Sequence, residues 1–198
     1  MTISAFIRSV AFITAAAFGC CSVSLPATAQ TKLDGGDIIQ SLYDVENVAE
    51  VSPSLARLLK ATKSSVVSPG DISTVAGELS NHRQFTLEVN FDFNSSIIKP
   101  NSCRAIGAIA DAMHHPYLEG YSFLIVGHTD AKGSREYNLR LSQERAVAIR
   151  DALVTTFKVA PNRLWAMGVG EELLKSEGNP NSELNRRVQL INIGKMAR

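Results

Sequence analysis

The chain has 198 residues, of which 45% are hydrophobic and 20% are charged. A chain of this length and composition buries one ordinary hydrophobic core, so we expect a single folded domain. The formal net charge is only +1 and no long basic run is present, which argues against a protein that binds nucleic acid through its phosphates.

The first 29 residues have the pattern of an export signal. Arg8 precedes an apolar stretch from 9 to 19, and residues 27–29 (Ala-Thr-Ala) have the small side chains of a cleavage site, so the mature chain would begin at Gln30. Cys20 leaves a second interpretation open, in which a lipid is attached to this cysteine. We expect membrane contact only in that case, because the apolar stretch is too short for a spanning helix.

Residues 30–82 are rich in Ser, Val and Thr and show weak hydrophobic periodicity. Two short stretches, 38–45 and 55–59, have the spacing of amphipathic helices. We therefore interpret this segment as a linker with short helices. The alternative that it recruits a protein partner stays open.

After His82 the pattern becomes regular and predicts alternating strands and helices. Apolar and polar residues alternate from 85 to 93, as in a strand with one buried face. Two segments with helical spacing follow, 103–113 and 134–157, the second beginning at Ser134 as N-cap. Further strands are predicted at 121–126, 163–167 and 187–193. The order β-α-β-α-β-β over residues 83–198 predicts an α+β domain with a mixed sheet and helices packed on one face.

Asp130 and Arg145 are the candidate binding residues. The loop after Asp130 can carry the chain away from the strand by up to ~13 Å, and the helix runs back about 16 Å before it reaches Arg145. The two residues are therefore expected at about the same height along the helix axis. Arg145 has no acidic residue three or four positions away, whereas Arg140 has Glu136 and Glu144 at that spacing. Such a pair suits an amino-acid zwitterion, with the ammonium on Asp130 and the carboxylate on Arg145. A direct salt bridge between them, or a bond from Arg145 to a backbone carbonyl, uses the same residues and stays open.

Motifs spread over residues 84–194 carry a resemblance to a known family. In chain order they are Phe91-Asp92-Phe93-Asn94, Gly127-His128-Thr129-Asp130, Gly133, Asn138, Leu141-Ser142, Arg145-Ala146, Gly168-x-Gly170-Glu171 and Asn185-Arg186-Arg187-Val188. Because these motifs occur in this order, the chain resembles the OmpA-like C-terminal domain family. The resemblance implies a non-catalytic domain that binds the peptidoglycan of Gram-negative envelopes through the diaminopimelate residue of the stem peptide.

The resemblance also implies roles for single residues. Asp130 and Arg145 match the pair that holds diaminopimelate in the family. Four further positions, Asn138, Phe93, Asn94 and Thr129, are expected to line the remaining walls of the site. Asn138 is equally well explained as a polar residue in the first turn of the helix. For the arginines of the 185–187 motif we favour a structural role at the sheet edge over ligand contact.

Together these expectations describe an exported protein of the periplasm, associated with the cell wall and attached to the outer membrane if Cys20 carries lipid. It would tether itself, or the outer envelope, to peptidoglycan, and we expect no cofactor and no metal site. Two other functions stay open. One is an adaptor that recruits an envelope protein through residues 30–82. The other, which the motifs disfavour, is an exported cell-wall hydrolase, since no Gly-x-Ser-x-Gly motif and no closely spaced pair of carboxylates is present.

Overall fold

The computed structural model describes residues 34–43, 51–62, 68–92 and 94–195. These ranges contain five α-helices, α1 (Gly35–Leu42), α2 (Pro53–Ala61), α3 (Pro69–Asn81), α4 (Cys103–His114) and α5 (Arg135–Thr155). They also contain four strands, β1 (Gln84–Leu87), β2 (Phe123–His128), β3 (Leu164–Gly170) and β4 (Val188–Asn192). The export signal predicted at residues 1–29 lies outside the described ranges. None of the helices in those ranges has the length and apolar character needed to cross a membrane.

The four strands form one mixed sheet in the order β1-β4-β2-β3. β2 and β3 are parallel, and β4 lies antiparallel to both β1 and β2. The helix α4 follows β1 and α5 connects β2 to β3, so the predicted order of elements is present. This confirms the predicted α+β class with a mixed sheet.

The first strand is shorter than the alternation from 85 to 93 predicts. β1 ends at Leu87, which is opposite Val188, the first residue of β4. Beyond that point no partner strand continues among the described residues, where Phe91 forms an isolated bridge with Ile98. The chain therefore separates from β4 at this end of the sheet and leaves a gap between residues 88–91 and the loop that precedes β4.

One face of the sheet carries α1, α4 and α5. Their apolar residues share a buried cluster with Phe123, Ile125 and Leu190 from the strands. In α4 the buried positions recur at helical spacing, as predicted, and Pro100 begins the short 3₁₀ turn Pro100–Ser102 that leads into the helix. This part of the structure has the predicted arrangement of helices on one face.

The opposite face carries α2 and α3, which corrects the interpretation of the segment before residue 82 as a linker and the expectation that helices pack on one face only. Their six buried side chains form a second cluster with Leu124, Trp165 and Met167 of the sheet. The six are Leu55, Leu58, Leu59, Ile72, Val75 and Leu79. Burying a side chain of this kind contributes about 1.5–3 kcal/mol, so α2 and α3 are an integral part of the hydrophobic core.

α5 lies directly on the backbone of the sheet because two glycines remove the intervening side chains. A Cβ at Gly168 would lie 2.2 Å from the backbone nitrogen of Gln143, and one at Gly127 would lie 2.3 Å from the carbonyl oxygen of Ser142. The Gln143 side chain also accepts a 2.7 Å hydrogen bond from the backbone N–H of Gly168 at the sheet edge. These contacts fix the position of Arg145, which comes less than one turn further along the helix.

Candidate ligand-binding site

A groove of about 430 Å³ opens where β1 and β4 separate. It is lined by residues that follow β1, by the end of β2, by Arg145 of α5 and by the loop that precedes β4. Its lining includes four cationic residues, Arg145, Lys175, Arg186 and Arg187, but only two acidic ones, Glu88 and Glu183. The groove is therefore suited to an anionic ligand.

Asp130 lies in the loop after β2, and its side chain is only 10% exposed. Arg186 Nη1 donates to Asp130 Oδ2 at 2.8 Å, and the backbone N–H of Lys132 donates to Oδ1 at 3.3 Å. The hydrogen bond to this carboxylate is the main cause that raises the pKa of Arg186. Asp130 does not line the groove itself, but it is bonded to Arg186, which does line the groove.

Arg145 is partly buried and lies against the 91–98 segment. Its Nε donates to the carbonyl oxygen of Ser95 at 3.0 Å, and its guanidinium carbon lies 4.8 Å from the centre of the Phe91 ring. No carboxylate of the described residues lies within ion-pair distance of it. Burial is the main cause that lowers the pKa of Arg145. The guanidinium is thus partly desolvated without an anion beside it, a condition that a bound carboxylate would relieve.

Asp130 and Arg145 are close enough to influence one another but are not bonded to each other. The charge of Asp130 raises the pKa of Arg145, and the charge of Arg186 lowers it. The two predicted binding residues therefore lie in one charged cluster. Of the alternatives that the sequence leaves open for Arg145, the structure shows the bond to a backbone carbonyl and no direct salt bridge with Asp130.

Asn138 lies below the cluster and supports its loop. It is 2% exposed, and its Nδ2 donates to the carbonyl oxygen of Asp130 at 3.2 Å and to Glu171 Oε2 at 2.6 Å. Ser134 caps α5 as predicted, accepting from the backbone N–H of Tyr137 at 3.3 Å. Asn138 thus holds the Asp130 loop against the start of α5 and the end of β3, and it does not line the groove.

The other predicted wall residues lie in different surroundings. Thr129 is 3% exposed, and its hydroxyl has no hydrogen-bond partner among the described residues. Asn94 is exposed, has a positive φ of 55° and accepts a short hydrogen bond from the Tyr137 hydroxyl. Phe93 lies outside the described residues. Asn94 is thereby connected to the first turn of α5, near the groove wall formed by Phe91.

Among the described residues that line the groove, only Arg145 was predicted from sequence as a site residue. The lining residues that were not predicted include Arg186, Arg187 and His128. Arg186 bridges Asp130 and Glu183, to which its Nη2 donates at 2.7 Å. The sequence favours a structural role for the arginine pair, and the Asp130–Arg186 bond supports that role while placing Arg186 in the groove lining. In the sequence near Arg186, the one signal that this arginine forms an ion pair is Glu183, three positions before it.

His128 lies at the end of β2 and is 2% exposed. Burial, assisted by the charge of Arg187, lowers its pKa to about 3, although the Gln189 side chain and the Leu173 backbone offset part of this shift. Neither ring nitrogen has a hydrogen-bond partner of good geometry among the described residues. At physiological pH His128 is therefore a neutral imidazole in the groove lining, close to Gln189 and Leu173 but without a well-aligned hydrogen bond among the described residues.

Comparison with known proteins places this site in a family. Residues 90–187 match the model of the OmpA family. The match includes all the residues of the charged cluster, Asp130, Arg145 and Arg186, and it confirms the family resemblance carried by the motifs.

Several relatives are named for the bacterial envelope. The chain is 40% identical over 106 residues to outer membrane porin F of Pseudomonas aeruginosa. This alignment covers 52% of the chain and 29% of the porin. The chain is also 35% identical over 102 residues to the peptidoglycan-associated lipoprotein of Pseudomonas putida. This second alignment covers 50% of the chain and 59% of the lipoprotein. The match thus spans less than a third of the porin and under two thirds of the lipoprotein. Neither of these names denotes an enzyme, in agreement with the expected non-catalytic domain.

Among solved structures, the peptidoglycan-associated lipoprotein from Burkholderia pseudomallei is 29% identical to this chain. The alignment covers 63% of this chain and 99% of the lipoprotein, with a TM-score of 0.46.

Proposed function

Residues 90–187 are an OmpA family domain, and on this premise we propose that they bind peptidoglycan without catalysing a reaction on it. The ligand is the free amino-acid headgroup of an uncrosslinked diaminopimelate residue in the stem peptide. Binding attaches the protein to the cell wall in the periplasm. The relatives named peptidoglycan-associated lipoproteins support this proposal.

The observation that carries the proposal is the state of Arg145. It is partly buried, it lines an open groove, and among the described residues it has only a backbone carbonyl and an aromatic ring as partners. A planar guanidinium in this state binds a carboxylate through two parallel hydrogen bonds. The carboxylate of the diaminopimelate headgroup is therefore assigned to Arg145.

The ammonium of the same headgroup is assigned to Asp130, whose carboxylate is at present bonded to Arg186. Leaving a buried charge unpaired is costly, so the ligand must replace one cation at Asp130 by another. We propose that Arg186 turns from Asp130 to the ligand carboxylate when the ammonium arrives. Asp130 and Arg186 then each keep an opposite partner before and after binding, Arg145 gains one, and a ligand that lacks either charged group cannot complete this exchange.

The test is sedimentation of the full chain with purified sacculi. Asp130→Asn and Arg145→Gln remove one charge each with little change in shape, and both are expected to abolish sedimentation. Arg150→Gln is the matched control, because Arg150 lies on the same helix and bonds to its neighbour Asp151. Unchanged sedimentation of both site variants, with folding confirmed by circular dichroism, would show that the headgroup assignment is wrong.

The adaptor hypothesis for residues 30–82 is less well supported by the structure. The apolar residues of α2 and α3 pack against the sheet. They are therefore not available as an exposed stripe for a partner helix. Deletion of the segment would be expected to disrupt the core as well as any partner binding, so it is not a clean test of recruitment.

A further inference from the structure

Arg187 is a second guanidinium of the groove that has no anionic partner among the described residues. It lies next to the first residue of β4, and its Nη2 donates to the carbonyl oxygen of Leu173 at 3.0 Å and lies 3.4 Å from Gln189 Oε1. Its Nη1 lies 3.5 Å from the carbonyl oxygen of Asn185. All three acceptors are neutral, and no carboxylate among the described residues lies within ion-pair distance of Arg187.

The neutral acceptors hold this side chain in place without neutralising it. Burial lowers the pKa of Arg187. The guanidinium is thus oriented by the loop that precedes β4 and is partly removed from water. An oriented and partly desolvated cation binds an anion more strongly than a solvated surface residue does.

His128 provides a second observation at the same place. Residue His128 is 2% exposed, and its imidazole has no hydrogen-bond partner of good geometry among the described residues. Burial, assisted by the charge of Arg187, lowers the pKa of this imidazole. Both residues line the groove that also contains Arg145. A neutral imidazole carries one N–H donor, so this part of the groove combines a cation with a neutral donor that has no well-aligned acceptor among the described residues.

Resting on the proposed function, we propose that Arg187 is a second carboxylate-binding residue, and that the groove recognises its ligand as a peptide with two separate carboxylates. The first is the headgroup carboxylate at Arg145. In a stem peptide, the second is the free α-carboxylate of the γ-linked glutamyl residue that precedes diaminopimelate. A stem peptide in which this carboxylate is amidated would lose its charge at Arg187 and keep the headgroup unchanged.

The experiment compares two synthetic tripeptides of the sequence L-Ala-γ-D-Glu-meso-diaminopimelate. In both, the chain-terminal carboxyl of diaminopimelate is blocked as an amide, so that the headgroup carboxylate stays free. One peptide carries the free α-carboxylate of the glutamyl residue and the other carries its amide. The affinity of the full chain for each is measured by isothermal titration calorimetry. The loss of one charge-assisted interaction is expected to weaken binding of the amide by about tenfold.

Variants assign this preference to Arg187. In Arg187→Gln the two peptides are expected to bind with equal affinity, whereas Arg187→Lys keeps the charge and retains a preference for the acid. Arg145→Gln is expected to lower the affinity for both peptides by the same factor. Arg150→Gln, away from the groove, is expected to bind both like the parent protein.

The outcomes separate this inference from the proposed function. If the parent protein binds the acid and the amide equally, Arg187 does not bind the second carboxylate, while the headgroup assignment stands. If it binds neither peptide, the proposed function fails and this inference fails with it. The comparison on the parent protein decides the question even if Arg187→Gln does not fold. A preference that persists in a folded Arg187→Gln variant would also overturn the assignment.

Discussion

Arg186 holds the carboxylate of Asp130 through a 2.8 Å hydrogen bond from Nη1 to Oδ2. The residues are 56 positions apart in sequence, and the bond joins the loop after β2 to the start of β4. It gives a buried carboxylate its cation. The same bond has to open for an ammonium to reach Asp130, so the stability of the domain and the affinity of the site depend on one contact.

Replacing Arg186 tests this dual role. In Arg186→Gln the Asp130 carboxylate loses its charged partner, and we expect the free energy of unfolding to fall by about 1 kcal/mol, a modest value because the Arg186 side chain is well solvated. Urea denaturation measures this change. Sacculus binding is expected to weaken as well, since the ligand carboxylate loses its second cation. Stability and binding equal to those of Arg150→Gln would contradict both roles.

The close contact between α5 and β3 predicts a strong effect at Gly168. A methyl group there would lie 2.2 Å from the backbone nitrogen of Gln143 and 2.6 Å from its Cα, so α5 must move away from the sheet. We expect Gly168→Ala to cost about 1–3 kcal/mol of stability, as overpacking does, and to weaken sacculus binding by displacing Arg145.

Gly77→Ala is the control for this substitution. Gly77 lies within α3, and a Cβ there meets no atom within 4 Å. Alanine in a helix interior is better than glycine by about 0.5–1 kcal/mol, so this variant is expected to gain stability. A loss of similar size in both variants would mean that the steric argument at Gly168 is wrong.

The assignment of α3 to the core predicts a large loss of stability on truncation. Ile72 is fully buried against the second face of the sheet, and Ile72→Ala is expected to lower the free energy of unfolding by about 2–5 kcal/mol. Ser73→Ala, at the next and exposed position, is expected to change it by less than about 0.5 kcal/mol. Equal denaturation midpoints for the two variants would restore the interpretation of this segment as a linker.

Much of the fold follows from local signals in the sequence. Ser134 caps α5 where the pattern predicts it, and the helical rise correctly brings Arg145 back toward the level of Asp130. α3 was missed although Ser68 caps it and Ile72, Val75 and Leu79 have helical spacing. Its glycine, serine and threonine residues weaken the hydrophobic pattern, and its stability comes from the sheet face that it covers, which no local window contains.

The partners within the site depend on contacts that are distant in sequence. No periodicity connects Asp130 with Arg186, and the hydrophobic alternation after Leu87 does not reveal that β4 begins only at Val188. The gap between the two strands, and therefore the groove, results from this mismatch in length. Local reasoning favoured a structural role at the sheet edge for Arg186 but did not identify Asp130 as its partner.

The depressed pKa of His128 predicts how stability changes with pH. In the unfolded chain this imidazole takes up a proton below its ordinary pKa of about 6.5, whereas burial delays protonation in the folded state to about pH 3. The unfolded state binds more protons between these values, so His128 lowers stability as the pH falls, by up to about 1.4 kcal/mol per pH unit. Urea denaturation from pH 7 to 4 should therefore show a shallower decline for His128→Gln than for the parent protein. The other titrating groups are common to both proteins and cancel in the difference, and parallel curves would mean that the imidazole is protonated in the folded state.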